Sequence, residues 1–191
     1  NREADILYES GIRHILLLTG EDYKRTPVEF IGAASGRISD RFPSIGIEVY
    51  PLKEEEYAFL RTQGVDSLAV YQETYDPDRY NEVHLRGMKK RMDYRLDCPE
   101  RAGAAGFRKI ALGSLLGLSD PAADTFFAGL HARYLMKKHW QTQISLSLPR
   151  LRPADKVPDF PSIPDSVYAR FFFALRLFLP DAGLILSTRE S

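Results

Sequence analysis

HILLLTGE, residues 14–21, is an apolar run that stops at Thr19-Gly20-Glu21, and the residues beyond it take up helical spacing. The same succession recurs along the chain. SLAVY ends in Gln72-Glu73-Thr74, and KIALGS is followed by Leu116-Gly117-Leu118-Ser119-Asp120. QISLSL ends in Pro149-Arg150-Leu151-Arg152-Pro153, and the apolar residues 183–186 end in Ser187-Thr188-Arg189-Glu190. A strand that closes in polar groups and then turns into a helix is the unit from which a (β/α) barrel assembles one convergent site.

Read outward from there, the pattern predicts strands at 14–19, 45–51, 66–72, 109–116, 143–149 and 183–188. Helices are expected at 2–10, from Thr26 to about Arg41, at 52–63, 92–105, 120–139 and 164–179. The run at 14–19 is apolar throughout, as in a parallel strand covered on both faces. Thr26-Pro27-Val28-Glu29 has the order of a cap, a first-turn proline and a capping-box glutamate. Strands alternating with helices imply parallel pairing through right-handed crossovers. The expectation is an α/β fold, a (β/α) barrel of TIM type with about six parallel strands of it present, as a single domain over 1–191. The proline-rich segment 150–165 reads as a long loop. Both ends read as cuts in a larger protein: the chain opens at Asn1 inside a helical stretch and stops at Ser191 just after a strand.

Composition narrows the function classes. With 191 residues and 44% hydrophobic content the chain can bury a substantial core. Its 26 basic and 26 acidic side chains cancel, so nothing draws it globally to nucleic acid or an anionic membrane. No apolar run approaches a membrane span, and no secretory signal is read. Cys98 is the only cysteine; without a disulfide framework, a reducing cytoplasm is the expected compartment. The four histidines share no ligand spacing.

GIRHILLLTGE, EVYPL, VYQETYDPDRY, RLDCPERAGAAG, ALGSLLGLSD, SLPRLRP and LSTRES, in this order, resemble the tyrosine-cleaving lyases of the radical S-adenosylmethionine family. The resemblance extends over essentially the whole chain. It implies cleavage of the Cα–Cβ bond of L-tyrosine to p-cresol and 2-iminoacetate for the thiazole of thiamine. The implied cofactors are S-adenosylmethionine and a 4Fe–4S cluster. The implied partners are tyrosine, an electron donor protein and the thiazole synthase that takes 2-iminoacetate. One departure is large: the family's three-cysteine cluster motif is absent and is expected upstream of Asn1, since Cys98 alone cannot hold a cluster. Two other readings stand beside this one, a hydrogenase-maturation tyrosine lyase and a truncated, inactive barrel segment that only binds a ligand or partner.

The resemblance also implies roles for individual residues. Gly20 and Glu21 meet the methionyl ammonium, a role open to a carboxylate; the plain alternative is a solvated glutamate at a turn. Glu73 accepts from the ribose hydroxyls, with Gln72 beside it; the alternative for Glu73 is a cap on the following short helix. Arg95 holds the methionyl carboxylate with its planar fork, against an ordinary helix-surface ion pair. Leu112, in the glycine-containing strand end Leu112–Gly117, borders the adenine. Ser187, Thr188 and Arg189 grip the tyrosine carboxylate. Arg150 or Arg152 adds positive charge, and which of the two faces the cavity is open. Cys98 reads as a packed, inert thiol.

Overall fold

The computed structural model describes residues 2–152 and 162–187. Its elements are α1 (Arg2–Glu9), β1 (His14–Leu18), α2 (Val28–Gly36), β2 (Ser44–Glu48), α3 (Glu54–Thr62), β3 (Val65–Glu73), α4 (Pro77–Val83), a 3-10 turn (Met88–Lys90), α5 (Met92–Leu96), α6 (Cys98–Ala104), β4 (Lys109–Ser114), α7 (Pro121–Lys138), β5 (Gln143–Ser147), α8 (Asp165–Phe178) and β6 (Gly183–Ile185). The strands form one sheet in the order β1-β2-β3-β4-β5-β6, and every neighbouring pair is parallel. Sequential parallel strands joined through helices are the (β/α) barrel arrangement.

The strands alternate between two environments, as a period of two requires. Ile45, Ile47, Leu68, Val70, Ile110, Leu112, Ile144 and Leu146 are buried. They share one core with Tyr57 and Leu60 of α3, Ala102 of α6, Ala128, Ala132 and Leu135 of α7, and Leu175 of α8. Each large side chain so buried contributes about 1.5–3 kcal/mol, so this layer carries the fold. The other face of the sheet carries smaller residues. Tyr71, Gly113 and Ser147 are in register across β3, β4 and β5, and the Tyr71 hydroxyl donates to Ser147 Oγ at 3.2 Å across the intervening glycine. A Cβ on Gly113 would lie 1.6 Å from the Ser147 carbonyl oxygen, so only glycine allows this approach.

Three details differ from the sequence expectation. β1 is not covered on both faces: its exposure alternates, and Leu16 and Leu18 are open on the face of the sheet away from the helices. The expected helix over 92–105 is two helices meeting at Asp97, because Pro99 lacks an N–H and its ring excludes the carbonyl one turn back. α2 ends at Gly36 and lacks the expected capping box; Thr26 Oγ1 instead donates back to the Asp22 carbonyl at 2.9 Å.

Among the described residues, no helix is long and apolar enough to cross a membrane.

Candidate functional site

Three strand ends and two short helical pieces build a cavity of about 130 Å³. Leu18, Thr19 and Glu21 come from the end of β1, Glu48 from the last position of β2, and Tyr71 and Glu73 from the end of β3. Lys89 and Arg95 reach in from the 3-10 turn and α5. Thr19 Oγ1 is buried without a hydrogen-bond partner among the described residues.

Glu73 owes its position to a local irregularity. The β3–β4 register slips between Tyr71 and Glu73, so Gln72 is an extra residue. Bulges of this kind re-aim side chains beside sites. Beyond it Glu73 has φ of 72° and is the only non-glycine residue with positive φ among the described residues. That conformation costs about 1–2 kcal/mol, and it is held from several sides. Leu115 N donates to the Glu73 carbonyl at 2.8 Å. Asp124 Oδ1 accepts from Thr74 Oγ1 at 2.9 Å and from Tyr75 N at 2.7 Å. Asp76 then caps α4, accepting from the backbone of Asp78 and Arg79, with Pro77 in the first turn. The cap of that short helix is therefore Asp76 and not Glu73.

Arg95 joins the strand ends. It is 6% exposed. Its Nε donates to the Tyr71 carbonyl at 2.6 Å and its Nη1 to Glu21 Oε1 at 2.8 Å, while Nη2 lies 3.9 Å from Glu73. A helix-surface ion pair does not describe it. Lys89 bonds the Glu73 carboxylate and lies 4.0 Å from Glu21. Its turn is fixed by the buried Tyr80, whose hydroxyl donates to the Lys89 carbonyl at 2.6 Å; burial pushes that phenol up to about 12. Burial, then Glu73, raises the pKa of Glu48, against the pull of Arg95 and Lys89. The sequence reading missed Lys89 and Glu48. Glu48 had a usable signal, a carboxylate at the carboxyl end of a strand like Glu73; Lys89 sits in an aperiodic basic stretch.

The other sequence candidates fall elsewhere. Gln72 and Leu112 are 4% and 2% exposed and point to the helix side of the sheet, among Tyr75, Pro99 and His131. The strand period sends them there, so their side chains do not line the cavity that holds Glu73. At Gly20 a Cβ would meet nothing within 4 Å, so packing does not demand glycine. Arg150 follows the parity of Leu146 and Leu148 toward the helices. It donates to the Ile163 carbonyl at 2.8 Å and to Asp165 at 2.6 Å, and lies 4.6 Å above the Tyr168 ring. Arg152 is exposed and Ser187 half-buried; Thr188 and Arg189 lie outside the described residues. Cys98 is buried, with Tyr57 Oη 2.8 Å from its sulfur, and burial raises its thiol pKa. It is in the core, and the chain offers no second thiol; these residues do not fit a 4Fe–4S cluster. No group of metal-binding side chains occurs among the described residues.

A sequential parallel sheet with its charged side chains gathered at the carboxyl ends is the class of a (β/α) barrel with its site on the strand-end face. No family model matches the chain. Over its full length it is 40% identical to 2-iminoacetate synthase of Salmonella typhimurium and to that of Escherichia coli, covering 51% of each. The chain thus spans about half the length of the curated relatives it matches, and it is homologous to one segment of 2-iminoacetate synthase. Among solved structures it superposes on HydG, a maturase of the FeFe-hydrogenase, with a TM-score of 0.91 and 31% identity, covering 100% of this chain and 44% of that one. HydG from Carboxydothermus hydrogenoformans gives 0.91 and 34%, over 100% and 45%. Methylornithine synthase, at 0.67 and 22% over 96% and 52%, shares the fold.

Proposed function

We propose that this chain forms the cofactor- and substrate-holding part of a radical lyase that cleaves the Cα–Cβ bond of L-tyrosine to 2-iminoacetate and p-cresol, for thiazole synthesis in thiamine formation. The observation that carries the reading is the convergence of Glu21, Glu73 and Arg95 in one cavity at the strand ends. The donor set suits S-adenosylmethionine. Glu21 accepts from the methionyl ammonium, Arg95 grips the methionyl carboxylate, and Glu73 accepts from the ribose hydroxyls. S-adenosylmethionine held there would, on accepting one electron and losing a C–S bond, supply abstraction of a hydrogen atom from the substrate. This chain's residues bind it, orient it and exclude water. In this reading Gly20 borders the methionyl group, Gln72 and Leu112 contribute through the strand backbone, and Ser187, Thr188 and Arg189 hold the tyrosine carboxylate; Arg150, turned toward α8 and Asp165, takes no part in it. With Cys98 as their single cysteine these 191 residues do not supply a cluster's ligands, so no step is assigned to this chain through it. A reducing cytoplasm, an electron donor protein and a thiazole synthase that receives 2-iminoacetate belong to the same reading.

A second reading, the tyrosine-cleaving part of a hydrogenase maturase, draws on the HydG superposition. The identity of 40% to 2-iminoacetate synthase against 31% and 34% to HydG favours the first. Anaerobic incubation of the cluster-loaded enzyme with tyrosine and S-adenosylmethionine tests it. p-Cresol formed in step with 5′-deoxyadenosine is expected; 5′-deoxyadenosine without p-cresol would exclude tyrosine cleavage, and cyanide among the products would favour the maturase.

A further inference from the structure

The charges in the strand-end cavity do not balance. Three carboxylates line it, Glu21, Glu48 and Glu73, against two cations, Lys89 and Arg95. Both cations are engaged. Arg95 pairs with Glu21 at 2.8 Å and lies 3.9 Å from Glu73, and Lys89 pairs with Glu73. Glu48, by contrast, makes no side-chain hydrogen bond or ion pair among the described residues. It occupies the last position of β2, opposite Leu18 in the register, and is half-buried. Burial and the neighbouring Glu73 disfavour its ionised form, while Arg95 and Lys89 only partly offset them. An added cation would relieve that carboxylate.

We propose that Glu48 is the specificity-determining charge of this cavity, selecting the sulfonium of S-adenosylmethionine over a neutral thioether. The inference rests on the cofactor reading above and adds a residue and a discrimination to it. In S-adenosylmethionine the methionyl ammonium and carboxylate cancel, and the ribose and adenine are neutral. The sulfonium is the one uncompensated charge on the ligand, as one carboxylate is on the protein. A sulfonium has no N–H or O–H to donate, so charge alone recognises it. A carboxylate that sits in the cavity wall without hydrogen-bond partners matches that demand. Glu21 and Glu73, already neutralised by Arg95 and Lys89, are left for the groups that do donate hydrogen bonds. In a partly desolvated cavity a charge contact is stronger than in water.

Calorimetric titration with S-adenosylmethionine and with its neutral counterpart S-adenosylhomocysteine, without turnover, tests the proposal. The wild-type protein is expected to bind the cationic ligand about ten-fold more tightly, the scale set by roughly one charge contact. Glu48→Gln is expected to bring the two affinities within about two-fold of each other by weakening the sulfonium ligand alone. Unchanged S-adenosylhomocysteine affinity then also shows that the variant is folded. Glu48→Asp, which keeps the charge on a shorter stem, is expected to retain part of the preference. A preference undiminished in Glu48→Gln, equal loss of both ligands, or no preference in the wild type each overturns the role of Glu48. Failure of the wild type to bind either ligand overturns the cofactor reading itself, and is distinguished by that result.

Discussion

The carboxylate of Asp124 on α7 accepts from the side chain of Thr74 at 2.9 Å, and both residues are buried, at 2% and 0% exposure. The same oxygen, Oδ1, accepts from Tyr75 N, so a residue 50 positions away along the chain clamps the turn that follows Glu73. Oδ2 has no partner. Asp124→Ala removes the acceptor for two buried donors and should cost about 2–4 kcal/mol, taking 1–3 kcal/mol per unsatisfied group with some relaxation. Asp124→Asn keeps Oδ1 and should cost clearly less. Urea unfolding of the two variants checks this; equal losses would mean that the clamp is not what Asp124 supplies.

Glu73 supports a second prediction, because its backbone is strained whatever its side chain does. Replacing it by alanine or by glycine removes the carboxylate equally and leaves Lys89 and Arg95 equally short of a partner. Only glycine accepts φ of 72° freely. Glu73→Gly should therefore be more stable than Glu73→Ala by about 1–2 kcal/mol, although glycine is ordinarily the worse strand residue. Melting temperatures in the reverse order would show that the strain is not present in solution.

The third prediction concerns the face of the sheet away from the helices. Tyr71 reaches Ser147 over Gly113, and the Gly113 backbone is too near the Ser147 carbonyl for any Cβ. Gly113→Ala must push β4 and β5 apart and should destabilise by more than about 3 kcal/mol, the range of severe overpacking. Circular dichroism melts would detect it. A variant within about 0.5 kcal/mol of wild type, the scale of an inconsequential substitution, would rule out the close approach.

Much of the fold can be read in the sequence because its strands are short apolar runs and its helices have clear stops. The break at Asp97 was also available, since Pro99 forbids a continuous helix. The site was legible only in part. Glu21, Glu73 and Arg95 belong to distinct polar stretches, and the structure brings them together. Gln72 and Glu73 are adjacent, and strand alternation sends Gln72 to the helix side and Glu73 to the face of Tyr71; the bulge and the left-handed backbone at Glu73 are announced by no residue type. Glu48 was legible in principle, a carboxylate at the carboxyl end of β2 like Glu73 at the end of β3. Arg150 shows the opposite case: its charge suggested a ligand contact, but strand parity turns it toward α8 and Asp165.

His131 gives a pH dependence. It is half-buried, its Nδ1 is 3.0 Å from the Tyr75 hydroxyl, and burial lowers its pKa to about 4. In the unfolded chain the ordinary value is about 6.5. Between those values the unfolded state binds the extra proton, so stability is complete above about pH 6.5 and falls as the pH drops toward 4. The loss attributable to this group is on the order of 2–3 kcal/mol. Asp124 and Glu48 titrate in the opposite sense, since burial raises both, so the variant must be compared with wild type. His131→Gln should flatten the fall in stability between pH 6.5 and 4.5. A slope identical to that of wild type would place the pH response elsewhere.

Arg95 is the residue on which the site and the local fold both depend, and two substitutions separate the roles. Its guanidinium holds the Tyr71 carbonyl at the β3 bulge with Nε and Glu21 with Nη1. Arg95→Ala leaves that carbonyl without its donor and Glu21 without its close cation, while Glu73 keeps Lys89. Binding of S-adenosylmethionine should weaken by about 1.5–3 kcal/mol, the scale for a hydrogen bond to a charged group. Stability should fall as well, by about 3–5 kcal/mol, as when one partner of a buried ion pair is removed. Arg95→Lys restores the charge near Glu21 and Glu73 but cannot reach the carbonyl and present a planar fork together. Lysine should therefore recover most of the stability while leaving the affinity low. Calorimetry and urea unfolding on the same preparations give both quantities. If lysine restores affinity along with stability, the fork geometry is irrelevant and the methionyl carboxylate is held elsewhere. If alanine changes stability alone, Arg95 is a strut for the β3 bulge and not a ligand contact.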